Sequence, residues 1–131
     1  SCRNAEPNRG HLAIKSLEEQ YEVWVLTQNV DGFHHKAGSA NIIDIHGDVH
    51  GITCTSCSYE AVVEDYSGLT YNKQGEKDKK WPTCPACKGM VRPKVVLFGE
   101  SLDTRKLSTL QKQCDRGFDA VLSVGTTSVF P

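Results

Sequence analysis

The spacing of apolar residues predicts alternating helices and strands near both ends of the chain. Residues 7–20 carry apolar side chains at helical spacing, and residues 22–27 form a short apolar run suited to a buried strand. Residues 103–116 have the pattern of an amphipathic helix that stops at Gly117, and residues 120–124 that of a second strand. This alternation is typical of an α/β fold with a parallel sheet.

The middle of the chain has a different character. It is rich in cysteines and turns, it has few helix signals, and residues 60–63 predict a short strand. Residues 92–100 then form an apolar, strand-like run that ends at an exposed turn. We therefore predict an α/β domain made of residues 1–50 and 93–131, with residues 51–92 inserted as a separate small module.

Two C-x-x-C pairs in this module predict a zinc site. The pairs are Cys54 with Cys57 and Cys84 with Cys87, and two such pairs separated by a loop can close a tetrahedral site. Four sulfur ligands leave no open position for water or substrate, so the metal is expected to be structural. A disulfide or a redox dithiol is the alternative, but a redox pair normally opens a helix, whereas the sequence around Cys84 predicts a turn.

The remaining cysteines have weaker claims to chemistry. Cys2 lies near the beginning of the sequence, and Cys114 falls at helical spacing from Leu107 and Leu110. We expect Cys114 to pack on the apolar face of its helix, as a small hydrophobic residue does.

Composition excludes several classes of protein. The chain has 131 residues, of which 38% are hydrophobic and 24% charged, as in a soluble protein with one core. Its net charge of -1 gives no long-range attraction to nucleic acid or to an anionic membrane. The basic loop, residues 73–80, is interrupted by Glu76 and Asp78, which weakens the alternative of a zinc-stabilised nucleic-acid-binding module. No apolar stretch is long enough to span a bilayer, and cysteines in zinc spacing favour a cytoplasmic protein.

Polar residues follow both predicted strands of the α/β region. Thr27, Gln28 and Asn29 end the first strand, and a Gly-Thr-Thr-Ser turn at 125–128 follows the second. Ligands of open parallel sheets bind at the carboxyl ends of strands, so we expect the two polar ends to share one crevice.

Five motifs in order resemble the sirtuin family and span nearly the whole chain. They are residues 27–38, the Ile45-His46-Gly47 triplet, the four cysteines, the segment 96–100 and the turn 125–128. The resemblance implies part of a Rossmann-like parallel sheet with an inserted zinc-binding module. It also implies an NAD-dependent protein lysine deacylase, with NAD as co-substrate, structural zinc, and acyl-lysine proteins or peptides as partners.

The resemblance also assigns roles to residues of this chain. His46 becomes the general base that deprotonates a ribose hydroxyl of NAD, and imidazole suits that task near neutral pH. The NAD-binding residues become Gln28, Asn29, Asp31, Gly125, Thr126, Thr127 and Ser128. The residues for the acyl-lysine substrate become Val96, Phe98, Gly99 and Glu100. His34, His35 and His50 are left out of the catalytic set. Without the resemblance, turn chemistry would explain Asn29 and Asp31, and a core strand would explain Val96.

The family's glycine-rich pyrophosphate turn has no counterpart here, since nothing before Cys2 supplies it. We therefore expect an internal piece of a longer protein, which alone would be inactive and prone to self-association. A sirtuin-like module that binds acyl-lysine without turnover is a further alternative, although the intact His46, Asn29 and Asp31 argue against it.

Overall fold

The structure, a computed structural model, describes residues 5–64, 66–73 and 80–126. Cys2, Thr127, Ser128 and most of the basic loop lie outside these residues. The elements in chain order are α1 (Arg9–Leu17), β1 (Val25–Thr27), α2 (Phe33–Lys36), β2 (Ile42–Asp44), β3 (Gly47–Cys54), β4 (Glu60–Val62), β5 (Tyr71–Lys73), β6 (Lys80–Pro82), β7 (Val91–Val95) and α3 (Thr104–Arg116). Within the described residues, no helix combines the length and apolarity needed to cross a membrane.

Helix α1 begins at a reciprocal cap. The Asn8 side chain accepts hydrogen bonds from the backbone N–H groups of Gly10 and His11, at 2.9 and 3.2 Å. The Asn8 N–H in turn donates to His11 Nδ1 at 3.2 Å, so a histidine takes the place that Glu or Gln usually has in this motif. The helix ends at Leu17, earlier than the predicted residue 20, because the chain continues there as turns.

Strands β1 and β2 form a parallel pair, as a parallel sheet requires, although no strand was predicted at the position of β2. Val25 lies opposite Ile42, and Thr27 lies opposite Asp44. Helix α3 is tied to this pair because Lys106 Nζ contacts both the carbonyl oxygen and the carboxylate of Asp44, each at 2.8 Å. The α/β fold class is therefore confirmed.

Two predictions for the end of the chain are wrong. Residues 120–124 form no strand in the described structure, and Val121, Leu122 and Val124 are each at least 75% exposed. A strand exists only when it is paired, and this segment pairs with none of the described strands.

Cys114 is exposed rather than packed. The face of α3 that contacts β2 carries Lys106 and the buried Gln113. Adjacent helix positions are about 100° apart, so Cys114 turns away from that face, and Leu107, seven residues earlier, is partly exposed with it.

The module has its own antiparallel sheet and core. The sheet order is β4-β3-β7, with β5 and β6 as a separate hairpin. Its core consists of Ile52, Cys54, Cys84 and Val91. Strand β3 includes the predicted boundary at 50/51 and β7 the one at 92/93, so two strands connect the module to the α/β region. The pairing of these two strands shifts register between Asp48 and Ile52.

Candidate functional site

His46 occupies the junction between β2 and β3. The Ile45 N–H donates to the Thr27 carbonyl at 3.0 Å, which extends the β1–β2 ladder and brings His46 beside the residue after β1. There His46 Nδ1 lies 3.2 Å from the carbonyl oxygen of Gln28. A carbonyl only accepts hydrogen bonds, so Nδ1 carries the proton and Nε2 keeps its lone pair. The geometry leaves Nε2 as the atom able to accept a proton.

The predicted substrate segment reaches the same junction. The Val96 N–H donates to the His46 carbonyl at 2.9 Å. Gly47 makes this approach possible, since it has φ +87° and a Cβ there would clash with the carbonyl oxygen of Lys94. The structure therefore brings together Gln28, His46 and Val96, which come from three separate motifs.

The loop after β1 is held by its own side chains. Thr27 Oγ1 accepts from the Asn29 N–H at 3.1 Å, and Asp31 Oδ1 accepts from the Phe33 N–H at 3.0 Å. Asn29 and Asp31 line one small cavity, together with Asp44. An amide and carboxylates can pair with the amide of a nicotinamide or with ribose hydroxyls, so these residues suit the nicotinamide end of NAD.

The segment after β7 is a turn that is stapled by Glu100, which means that hydrogen bonds to its carboxylate hold the turn in place. The Glu100 carboxylate accepts from the Leu97 N–H at 3.0 Å and from Arg92 Nη2 at 2.9 Å. These two donors, the Leu97 amide first, hold the pKa of Glu100 below its ordinary value. Gly99 adopts φ +84°, and Phe98 at the tip of the turn is fully exposed. The strand itself stops at Val95, earlier than the predicted run to residue 100.

The predicted crevice is not formed by the described residues. Gly125 has φ +65°, as a tight turn requires, and both it and Thr126 are exposed. Since residues 120–124 are not a strand, these two residues do not belong to the sheet edge where Asn29 and Asp31 lie. Thr127 and Ser128, the other two residues of that turn, lie outside the described part of the chain.

The four cysteines of the module converge. Cys54 and Cys87 have Sγ atoms 3.5 Å apart, Cys57 and Cys84 have Sγ atoms 3.7 Å apart, and all four sulfurs lie within 4.8 Å of one another. The two measured distances are too long for a disulfide bond, and all four cysteines are free thiols in the structure. Two thiolates on a tetrahedral zinc, at about 2.3 Å each, would lie about 3.8 Å apart. The donor set and its spacing fit a structural zinc ion.

Backbone amides support the cysteine site, as expected around thiolates. The Ser56 N–H donates to Cys54 Sγ at 3.3 Å, and the Gly89 N–H donates to Cys87 Sγ at 3.4 Å. The Ser56 amide, followed by the Cys87 thiol, lowers the pKa of Cys54 to about 7. Although the Tyr59 amide favours the Cys57 thiolate, crowding by the other thiols raises the pKa of Cys57 to about 12. Four neighbouring thiolates therefore need a cation to coexist.

The histidines left out of the catalytic set have other surroundings. His50 Nδ1 lies 2.7 Å from Asp48 Oδ1, and His35 Nε2 lies 3.8 Å from Asp44 Oδ2. Burial lowers the pKa of His34, with a further contribution from His11. Asp48 was missed by the sequence analysis, and its signal is the two-residue spacing to His50, which places both on one face of a strand.

Comparisons with known proteins agree with these features. The sequence model of the Sir2 family matches residues 1–131. The chain is 46% identical, over 100% of its length, to NAD-dependent protein deacylase 2 of Pseudomonas aeruginosa, of which it covers 49%. It is 39% identical, over 94% of its length, to NAD-dependent protein deacylase sirtuin-5B, mitochondrial, of Xenopus laevis, of which it covers 45%. The chain thus spans about half the length of the curated relatives it matches.

Solved structures resemble the fold as well. A crystal structure of a Sir2 homologue–NAD complex superposes with a TM-score of 0.75 at 35% identity, covering 88% of this chain and 42% of that one. A Sir2–p53 peptide–NAD+ structure superposes with a TM-score of 0.68 at 32% identity, covering 82% of this chain and 43% of that one.

Proposed function

This chain belongs to the Sir2 family, and we propose that the natural protein containing it removes acyl groups from protein lysine side chains in an NAD-dependent reaction. The proposal extends to the whole protein what relatives of about twice this length are named for. One structural observation supports the proposed reaction. His46 joins the loop after β1 through Gln28 and the substrate segment through Val96. A proton acceptor therefore stands where the two substrates would meet.

The loop after β1 would hold the nicotinamide end of NAD through Asn29 and Asp31. NAD, when bound, supplies the activated ribose to which the acyl group is transferred. His46 would take a proton from a ribose hydroxyl at Nε2, because the Gln28 carbonyl keeps the proton of the ring on Nδ1. The carbonyl also fixes the orientation of the ring, so the base requires no rearrangement before it acts.

The extended chain around Val96 would pair with the backbone of the acylated peptide. Main-chain pairing accepts many sequences, so the preference among peptides would arise from side-chain pockets. The exposed Phe98, at the tip of the turn stapled by Glu100, offers an apolar surface for the peptide or for the alkyl chain of lysine.

Zinc would act only as a structural ion, because its four positions are filled by sulfur. The reaction would break the nicotinamide–ribose bond and the amide and consume one water: nicotinamide and free lysine leave, and the acyl group ends on a ribose oxygen as O-acyl-ADP-ribose. We place the protein among both transferases and hydrolases because the acyl group is transferred and water is consumed. The paired cysteines suit a reducing compartment, and we place the protein in the cytoplasm on that basis.

The test is an initial-rate assay of the full-length, zinc-loaded protein with NAD and acetyl-, succinyl- or long-chain acyl-lysine peptides. We expect release of nicotinamide coupled to loss of the acyl group, and a decrease of about 100-fold or more in His46→Ala. His11→Gln is the matched histidine control, since glutamine preserves the cap of α1. A His46→Ala variant with wild-type turnover would refute the role of this residue, and a wild-type protein inactive on every acyl peptide would refute the function.

A further inference from the structure

Asp48 and His50 form a hydrogen-bonded pair on β3. Asp48 Oδ1 accepts from His50 Nδ1 at 2.7 Å and from the backbone N–H of His50 at 2.8 Å. The two side chains are only 22% and 20% exposed. Two hydrogen bonds from one residue to one carboxylate oxygen fix the rotamers of both side chains.

An irregularity in β3 directs this pair toward the loop after β1. The pairing of β3 with β7 shifts register between Asp48 and Ile52, opposite Pro93, which has no N–H to offer the ladder. Within the shifted segment, the Val49 N–H donates to the carbonyl of Val30 at 2.9 Å. The bulged segment of β3 is therefore bonded to the loop after β1. Bulges often aim side chains at functional sites.

The pair packs directly on the corner of that loop. Gly32 adopts φ +74°, and a Cβ there would lie 2.9 Å from His50 Nδ1 and 3.0 Å from Asp48 Oδ2. Asp48 also lines the small cavity that Asn29 and Asp31 line. Asn29 and Asp31, which we assign to nicotinamide, both precede Gly32 in the loop after β1. Gly32 in turn packs against the Asp48–His50 pair.

We propose that Asp48 and His50 are positioning residues that hold the Gly32 corner and thereby orient Asn29 and Asp31 toward the nicotinamide end of NAD. This inference rests on the proposed function, and it assigns the pair a role in binding NAD rather than in accepting the proton. The pair acts through hydrogen-bond geometry and packing, so the oxygen of Asp48 matters more than its charge.

Kinetics of the full-length, zinc-loaded protein carrying Asp48→Ala test this role. We expect KM for NAD to rise about tenfold and inhibition by nicotinamide to weaken by a similar factor, since a misplacement of about 1 Å lowers activity by up to about 100-fold. The KM for the acyl peptide should stay within about twofold, because the contacts that give the pair this role are with the loop after β1. Asp48→Asn keeps an oxygen that can accept both hydrogen bonds and should restore values close to wild type.

Asp115→Asn is the matched control. It removes a carboxylate charge from the exposed side of α3, where Asp115 accepts a hydrogen bond from Gln111, and it should change neither KM. A folded Asp48→Ala protein with unchanged KM for NAD and unchanged nicotinamide inhibition would overturn the proposal. Equal losses in Asp48→Ala and Asp48→Asn would overturn it too, because they would show that charge is what matters.

Two further measurements keep the proposal testable. If Asp48→Ala loses its zinc or its cooperative melting, His50→Ala is judged by the same kinetic criteria. Amide hydrogen exchange at residues 29–33 of the full-length protein should be faster in either variant than in wild type, whether or not the protein turns over NAD. An inactive wild-type protein would count against the proposed function, whereas unchanged exchange would count against the pair alone.

Discussion

The inserted module and the α/β region of this chain differ in how completely they bury their apolar side chains. In the module, Ile52 is 1% exposed, and its core neighbours include two of the four converging cysteines. In the α/β region, the parallel pair β1–β2 buries Val25 and Ile43, but Leu26, the ladder partner of Ile43, is 53% exposed. Both regions contribute strands, but among the described residues the packed cluster of buried side chains lies in the module.

The difference shows how each region obtains its contacts. The module pairs its strands antiparallel, and its four thiols provide a metal site that can replace much of a hydrophobic core. The α/β region pairs its strands in parallel, and a parallel sheet needs cover on both faces. We therefore expect the stability of the module to depend on metal, and that of the α/β region to depend on the elements that cover its apolar side chains.

Removing a zinc ligand should destabilise the module far more than the α/β region. Cys84 is fully buried, so Cys84→Ser should abolish stoichiometric zinc binding and unfold the module, because structural zinc in small modules is worth about 10–16 kcal/mol. Zinc content and limited proteolysis within residues 51–92 measure the effect. Cys114→Ser, at an exposed cysteine of α3, is the matched control and should keep one zinc per chain. A Cys84→Ser protein with full zinc content and wild-type protease resistance would contradict the account.

Truncating one aliphatic residue in each region should sharpen the contrast. In a chain of these 131 residues, Ile52→Ala should lower the free energy of unfolding by about 2–5 kcal/mol, as expected for a buried side chain. Leu26→Ala should lower it by less than about 1 kcal/mol, since most of its surface is already in water. Urea denaturation of zinc-loaded protein measures both changes. Equal losses would mean that the two regions do not differ in packing.

Gly47 lets β3 approach β7 closely at the junction between the two regions. Gly47→Ala would place a Cβ against the carbonyl of Lys94 at a positive φ, which alone costs about 1–2 kcal/mol. We expect this change to separate His46 from Val96 and to lower turnover of the full-length protein more than it lowers its melting temperature. Gly68→Ala, with open space around its Cβ, is the control and should behave as wild type. Normal turnover in Gly47→Ala would show that the contact is dispensable.

The smallest expected effect is the pH response of the turn after β7. The pKa of Glu100 is lowered by the Leu97 amide and by Arg92. The stabilisation from Glu100 is therefore present above the ordinary carboxyl pKa, and it is lost as pH falls through the lowered value. The amide shift of Leu97, followed by NMR, should report a midpoint below the ordinary range of glutamate. In Glu100→Gln, the chemical shift of the Leu97 amide should not change over the same pH range. A midpoint at the ordinary pKa of glutamate would show that the hydrogen bonds from Leu97 and Arg92 do not stabilise the Glu100 carboxylate.

Local signals in the sequence predicted the local features of the structure. The spacing of the cysteines predicted their convergence, because ligands in two tight turns need only one contact between those turns. The pattern of residues 103–116, closed by Gly117, predicted α3, because caps and periodicity are read within one element.

Features that depend on distant neighbours were not predicted. Residues 120–124 have the composition of a strand but no strand beside them in the described structure. The orientation of Cys114 follows from the contact of Lys106 with Asp44, which no periodicity reveals. The Asp48–His50 pair depends in the same way on how the β3 bulge meets Gly32. Non-local pairing decides these points, and a single sequence does not display it.

The stoichiometry of one reaction shows whether removal of the acyl group is coupled to cleavage of NAD at His46. Full-length, zinc-loaded protein is incubated with NAD and an acyl-lysine peptide, and nicotinamide and deacylated peptide are quantified together. We expect equal amounts of the two products, none without NAD, and a loss of both in His46→Ala. Deacylation that proceeds without NAD, or that proceeds undiminished in His46→Ala, would contradict this expectation.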